Sequence, residues 1–221
     1  MTKLAALVPM KHNSQRVPEK NYREVGGKPL FHHILNTLLK VPEIDLVCVD
    51  TDSIVIKQGI SEHFPVVKVI DRPLDLRADE IPMNRIIEHD MSLVQADLYL
   101  QTHSTNPLLK AETISRSIQE FRENGDYDSL FSVTRLQTRL YNRTGKALNH
   151  NPAELLQTQD LPPLYEENSC IYLFTEAGMK ESGHRIGRKP YLFEIDAAEA
   201  WDIDTLLDFN IVHCLMSQTG E

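Results

Sequence analysis

Leu4-Ala-Ala-Leu-Val-Pro-Met-Lys-His-Asn-Ser-Gln-Arg-Val-Pro-Glu-Lys-Asn21 begins as an apolar strand and runs straight into a polar, cationic loop. A strand that delivers the chain to a loop ahead of a helix is the first unit of an alternating α/β fold. Within the loop, Ser14-x-Arg16-x-Pro18-x-Lys20-Asn21 gathers a hydroxyl, two cations and a carboxamide, with a proline to stiffen them. Phosphate oxygens need several donors held at once, from backbone N–H groups and from Lys or Arg heads. The loop therefore reads as a polyphosphate cradle. From Lys11 to Lys28 five basic residues stand against two acids, a local charge of +3 in a chain of formal net charge −9. That contrast argues against broad nucleic-acid binding and for a local anion site. The plainer alternative for such a charge run is a solvated loop.

Outward from this stretch, strand-like and helix-like segments alternate. Strands are expected at Leu4–Val8, Asp45–Val49, Val66–Ile70, Leu98–Gln101, Ser129–Val133, Cys170–Phe174 and Tyr191–Ile195. Helices are expected from Leu30 to Leu39, where Pro42 stops the apolar period, at Ile54–His63, Ile81–Val94 and Glu112–Arg122, from Glu176, and at Leu206–Met216. The pattern predicts a mostly parallel sheet with helices on its faces, in a single domain over residues 1–221. Residues 135–167 break the alternation. They are polar and punctuated by Asn142, Gly145, Pro152 and Pro162-Pro163, yet Leu140, Tyr141, Leu148, Leu155, Leu156 and Leu161 need burial. A structureless loop of that length is unusual in a compact domain, so the excursion is expected to pack against something, with a second subunit as one candidate.

The apolar runs are too short to cross a bilayer, and the N-terminus has no basic-then-apolar signal pattern, so a soluble, cytoplasmic protein is expected. Cys48, Cys170 and Cys214 are scattered, which indicates neither a disulfide framework nor a zinc site. All three read as reduced core residues.

In an open parallel sheet, ligands bind where loops leave the carboxyl ends of strands. Those ends are Lys11–Asn21, Asp50–Ser53, Asp71-Arg72-Pro73 and Gln101–Pro107, all polar. Neither Gly-x-x-x-x-Gly-Lys-Ser/Thr nor Gly-x-Gly-x-x-Gly is present in the loop, so a P-loop NTPase and a dinucleotide-binding dehydrogenase find no support. Val8-Pro-Met-Lys-His-Asn-Ser-Gln-Arg-Val-Pro-Glu-Lys-Asn21 with Gly27-Lys-Pro-Leu30 resembles instead the N-terminal signature of the cytidylyltransferases that activate sialic acid, related nonulosonic acids and 3-deoxy-octulosonate. Asp50-Thr-Asp52, Arg72-Pro73, the Gln101–Leu108 segment, Asp160–Tyr172 and Asp202-Ile-Asp204 match in order, so the resemblance covers nearly the whole chain.

The resemblance implies a Rossmann-like nucleotidyltransferase fold, with the excursion as the contact of a homodimer. It implies an enzyme that binds CTP and lets the anomeric hydroxyl of an acidic 2-keto sugar attack the α-phosphorus, giving a CMP-sugar and pyrophosphate. By motif position, Lys11, Ser14, Arg16 and Lys20 would contact the triphosphate, and Asn21 and Arg72 would face the nucleotide, with Arg72 reading the base. Asp202 and Asp204 would hold Mg²⁺. Two carboxylates one residue apart in an extended segment can reach one hard cation, although an Asp just before an apolar helix is also a favoured N-cap. Gln101, Asn168 and Tyr172 would line the sugar pocket, and a core tyrosine remains the plainer reading of Tyr172. The alternatives are another sugar, either octulosonate or a sugar 1-phosphate, and a non-catalytic nucleotide-binding relative.

The chain departs from the pattern in four places. Lys11 stands for an arginine and loses its bidentate fork, and His12-Asn13 replaces two glycines. Gln101-Thr-His-Ser-Thr-Asn-Pro-Leu-Leu-Lys replaces Gln-Pro-Thr-Ser-Pro-Leu-Arg. Thr158 stands where the family has an arginine for the sugar's carboxylate, with Arg139, Arg143 and Lys146 as candidate substitutes. His103 reads as a polar loop residue rather than a base, because nothing adjacent in sequence orients it.

Overall fold

Every residue of the first strand, β1 (Leu4–Met10), is buried, and the two-residue period of a strand divides them between two cores. Leu4, Ala6 and Val8 join one apolar cluster, while Ala5 and Leu7 join another on the opposite face. Such a strand needs cover on both sides, and the helices supply it. The computed structural model describes residues 3–219.

After β1 come a small hairpin of β2 (Glu24–Val25) and β3 (Lys28–Pro29), then α1 (Leu30–Leu38), β4 (Leu46–Thr51), α2 (Ile54–His63) and β5 (Lys68–Asp71). They are followed by α3 (Met83–Leu93), β6 (Leu98–Gln101), α4 (Ala111–Glu123), β7 (Ser129–Leu136), β8 (Leu164–Phe174), α5 (Glu176–Ser182), β9 (Pro190–Glu194) and α6 (Leu206–Thr219). Seven strands form one sheet in the order β5-β4-β1-β6-β8-β7-β9. β5, β4, β1 and β6 run parallel to one another, β8 is antiparallel to both β6 and β7, and β9 is parallel to β7. Phe31, Ile34, Leu35 and Leu38 of α1 recur at helical spacing on one face, together with Ile56 and Ile60 of α2 and Ile114 and Ile118 of α4. Ile87 and Met91 of α3 cover the other. Among the described residues no helix is long and apolar enough to cross a membrane.

A third, smaller cluster positions the site. Val17 from the cationic loop, Val25 and Leu30 meet Ile203 and the buried stripe Phe209, Val212 and Met216 of α6. The last helix is thereby fastened onto the loop that follows the first strand.

Two expectations need correction. The excursion is the tip of an antiparallel hairpin: β7 runs on to Leu136, and β8 starts at Leu164 rather than Cys170. The early half of β8 is largely exposed, so it carried no apolar signal. Of its apolar residues, Leu161 is buried, while Tyr141, Leu148, Leu155 and Leu156 stay exposed, Leu155 at 92%. Cys48 and Cys170 are core residues, burial pushing the Cys48 thiol up to about 12, but Cys214 lies on the exposed side of α6.

The turn into β9 depends on Gly187, at φ +73. A Cβ there would lie 2.3 Å from Asp128 Oδ1, a carboxylate that already accepts from the Arg188 and Lys189 N–H groups. Gly187→Ala should lower stability by about 1–3 kcal/mol through the left-handed backbone and this clash, read as a lower urea midpoint with an unchanged m-value.

Candidate functional site

The site gathers at the carboxyl ends of β1 and β6, with one wall from the segment before α6. In that segment Ile203 is fully buried, so its neighbours Asp202 and Asp204 face the other way. The Ile203 N–H donates to Thr105 O at 2.9 Å, which ties the segment to the loop after β6. In the facing loop Val17 is fully buried and Arg16 is exposed. The two buried residues pack in one cluster, and the charged neighbours meet outside it. Arg16 Nη1 donates to Asp204 Oδ2 at 2.6 Å, and Lys20 Nζ to Asp204 Oδ1 at 3.2 Å and Ile203 O at 2.8 Å. Glu19, at φ 63, makes the left-handed turn from which Lys20 points inward.

Neither aspartate caps α6. Asp208 Oδ2 accepts from the Asp204 and Thr205 N–H groups, and Thr205 Oγ1 accepts from the Asp208 N–H at 3.4 Å. This reciprocal box satisfies the helix start without Asp202 or Asp204. The atoms crowded around the Asp202 carboxyl raise its pKa, and the like charge of Asp204 adds to this, although the residue as a whole opens to solvent.

The remaining residues of the loop serve its shape. Lys11 turns to Asp79 Oδ1 at 2.7 Å and Ala78 O at 3.1 Å, away from the Arg16–Asp204 group. Asn21 is buried, donating to Lys11 O and accepting from Ser104 Oγ, both at 2.6 Å. Its amide staples the loop to the segment after β6. Ser14 is half-buried. The His12-Asn13 departure has a structural account. The His12 N–H donates to Asp52 Oδ1 at 2.7 Å, its Nδ1 lies 2.8 Å from Ser53 Oγ, and its ring stacks on Tyr22. A side-chain latch replaces glycine flexibility.

Arg72 is paired inside the protein. It is 2% exposed, its Nε pairs with Asp50 Oδ1 and its Nη2 donates to Asp50 O at 3.3 Å.

On the other side of β6, Gln101 is fully buried, with Nε2 3.0 Å from both Thr102 O and His103 Nε2. Gln101 Oε1, Thr102 Oγ1 and both amide atoms of Asn106 are buried without a hydrogen-bond partner among the described residues, a polar floor beneath the site. Asn168 bridges the bulge in the β7–β8 hairpin, accepting from Ser132 Oγ at 2.5 Å and donating to Thr134 Oγ1 at 3.0 Å. Tyr172 is fully buried, its hydroxyl donating to Glu167 and lying 3.1 Å from Ser169 Oγ. Arg185 lies over the Tyr172 ring, its Cζ 3.8 Å from the centroid, and has no ion pair with a carboxylate among the described residues. Sequence reasoning missed Arg185, which sits in a turn without periodicity or motif.

A model of the cytidylyltransferase family matches residues 5–217. The chain belongs to that family. This cytidylyltransferase is 26% identical to the CMP-N,N'-diacetyllegionaminic acid synthase of Legionella pneumophila, over 99% of its own length and 98% of that protein. It is also 26% identical to N-acylneuraminate cytidylyltransferase B of Danio rerio, over 94% of its length and 50% of that chain. A solved CMP:2-keto-3-deoxy-manno-octonic acid synthetase complexed with CTP superposes with a TM-score of 0.72 at 17% identity, covering 99% of this chain and 100% of the other. The sheet thus has the Rossmann-like nucleotidyltransferase architecture that the family resemblance implies.

His103 lies where the two halves of the site meet. Its surroundings hold the imidazole pKa down to about 4, by desolvation first, then by the Arg185 and Lys20 charges. The folded pKa lies below the ordinary 6.5, so as pH falls the unfolded chain takes up the proton first. This stabilising contribution is full above about pH 6.5 and is lost towards pH 4. His32 shifts in the same direction, also to about 4. Urea midpoints should therefore fall between pH 6.5 and 4, and His103→Gln should flatten part of that slope while His32 maintains the rest.

Proposed function

We propose that this cytidylyltransferase transfers CMP from CTP to the anomeric hydroxyl of an acidic 2-keto sugar of the nonulosonic acid class, with Mg²⁺, as a cytoplasmic homodimer. The observation that carries this reading is the Arg16–Asp204–Lys20 group, beside an Asp202 that has no capping duty. Two hard carboxylate oxygens from an i, i+2 pair fit Mg²⁺ by donor chemistry, and Asp202 and Asp204 would hold it. When bound, the ion would offset charge on the phosphates of CTP.

The sugar hydroxyl oxygen forms a bond to the α-phosphorus and releases its proton to solvent, the α–β anhydride bond breaks, and pyrophosphate leaves with its electron pair. Catalysis of such a transfer is mainly positioning and charge neutralisation. Lys20, 9% exposed and held by Ile203 O, is a cation fixed in place before substrate arrives. Arg16 is exposed and can exchange Asp204 for a phosphate oxygen. Arg185 supports the acidic acceptor: a half-buried cation without a carboxylate partner suits the sugar's own carboxylate, the role for which Thr158 lacks the chemistry. The exposed Tyr141, Leu148, Leu155 and Leu156 of the excursion support the dimer contact.

A second reading has its own observation. Lys11 and Arg72 are engaged by Asp79 and Asp50, as suits a relative that binds nucleotide without turning it over.

Pyrophosphate release with CTP, Mg²⁺ and a panel of nonulosonic, octulosonic and sugar 1-phosphate acceptors separates these readings. Turnover is expected with a nonulosonic acid; CTP binding without release on any acceptor would establish the second reading. Asp202→Asn and Asp204→Asn should each lower kcat by about 10²-fold or more with little change in stability, because charge stabilisation at the transferring phosphorus is lost. Arg185→Ala should raise the sugar KM by about 10- to 100-fold, the worth of one charge-assisted hydrogen bond, and leave the CTP KM in place. Leu155→Glu should shift the assembly towards monomer by light scattering.

A further inference from the structure

A second cluster lies outside the site just described, under the carboxyl ends of β4 and β5. Asp50 follows Cys48 by two residues on β4 and so faces the same side of the sheet, where α3 packs through Ile87 and Met91. His89 and Asp90 lie three and four residues after the buried Ile86, on the sheet-facing side of that helix. One ligand atom from each of Asp50, His89 and Asp90 falls within 4.8 Å of the others. Asp50 and Asp90 are each 1% exposed. Asp50 Oδ2, both carboxylate oxygens of Asp90 and His89 Nε2 are buried without a hydrogen-bond partner among the described residues.

Four buried polar atoms without partners are costly, the more so for charged groups. Arg72 occupies Asp50 Oδ1 from the β5 side, so with both carboxyls ionised the cluster would carry two negative charges against one positive. Either a proton on Asp90, whose carboxyl burial and the Asp50 charge push up to about 9, or a bound cation removes that imbalance. A proton shared by the carboxylates would satisfy two of the four atoms and leave one Asp90 oxygen and His89 Nε2 as they are. His89 forms no ion pair with either carboxylate, so its nitrogen stands beyond bonding reach of them yet inside the 4.8 Å span. Donors on one ion at about 2.0–2.2 Å and tetrahedral angles lie about 3.3–3.6 Å apart, so the cluster has to close by up to about 1.5 Å, most of it at the half-buried His89, to hold one.

We propose that Asp50, His89 and Asp90 bind one divalent transition-metal ion, structural in role and separate from the Asp202–Asp204 pair. An imidazole with two carboxylates suits Zn²⁺ or Mn²⁺ better than Mg²⁺ or Ca²⁺, which prefer oxygen throughout. Arg72 then acts as an orienting partner of the ligating Asp50, as hydrogen-bonded groups around metal-binding carboxylates do. The ion would tie α3 to the β4 end, next to the Asp52 and Ser53 that latch His12. The inference stands on geometry that the proposed transfer reaction does not use.

The test uses the full-length Asp202→Asn/Asp204→Asn protein, stripped with chelator, so that the other carboxylate pair is removed. Titration with Zn²⁺ and with Mn²⁺ should show one ion per chain by calorimetry and elemental analysis and a rise in Tm. X-ray absorption should show one imidazole among light-atom ligands. Adding His89→Gln should weaken binding at least tenfold, and adding Asp90→Asn should abolish it. Affinity and Tm shift unchanged by His89→Gln, or no ion bound at all, overturn the proposal and leave a shared proton or a water in the cluster. If Asp90→Asn misfolds, His89→Gln alone decides, since His89 is only half-buried.

Discussion

The structure depends on one juxtaposition, residues 16–20 against residues 202–204, at opposite ends of the chain. Burying Val17 and Ile203 in one small cluster contributes about 1.5–3 kcal/mol per side chain. The ion pair above them is worth less, because Arg16 is largely in water and surface pairs contribute about 0–1 kcal/mol. The apolar contact therefore holds the charged groups in place, and not the reverse. This ordering matters for chemistry, because an ion pair that is weak in net energy is free to exchange partners while its carriers stay fixed.

The same reasoning separates the cations of the loop region. Arg72 and Asp50 are both buried, and such a pair cannot be opened without leaving a charge unpaired in the interior, a loss of about 3–5 kcal/mol. Lys11 and Asp79 meet near the surface, where opening costs little. The Lys11 pair is therefore the one that opens at little cost, whereas the Arg72 pair is held by its burial.

Most of the fold was legible because strand and helix periods are local. Ile54–His63 and Leu98–Gln101 match α2 and β6 to the residue, since a Ser53 cap and a short buried run are signals in themselves. The extended half of β8 was not legible, because Leu164–Asn168 lies in an exposed hairpin arm whose strand character comes only from pairing with β7. The site divides in the same way. Arg16, Lys20 and Asp204 come together as the family resemblance implied, and the Thr205–Asp208 box supplies the cap that an Asp before a helix had offered. Arg185 is legible only in three dimensions, since its neighbours Tyr172 and His103 lie 13 and 82 residues earlier in the chain.

The sheet itself assigns the two halves of the site different mechanical properties. The parallel half, β5-β4-β1-β6, is covered on both faces, and its loops are latched by His12, Asn21 and Ser53. The antiparallel hairpin is held by Asn168 across a bulge and by Tyr172 on Glu167, with Ser169 at φ 60, and it ends in an exposed arm. A rigid wall suits a ligand whose shape is constant, as a nucleotide's is. A bulged hairpin with a guanidinium resting on an aromatic face can readjust by small shifts of one strand. On the proposed reading, the acceptor sugar is therefore where this chain can diverge from its relatives, and Arg185 with the hairpin is the part of the structure that would carry the divergence.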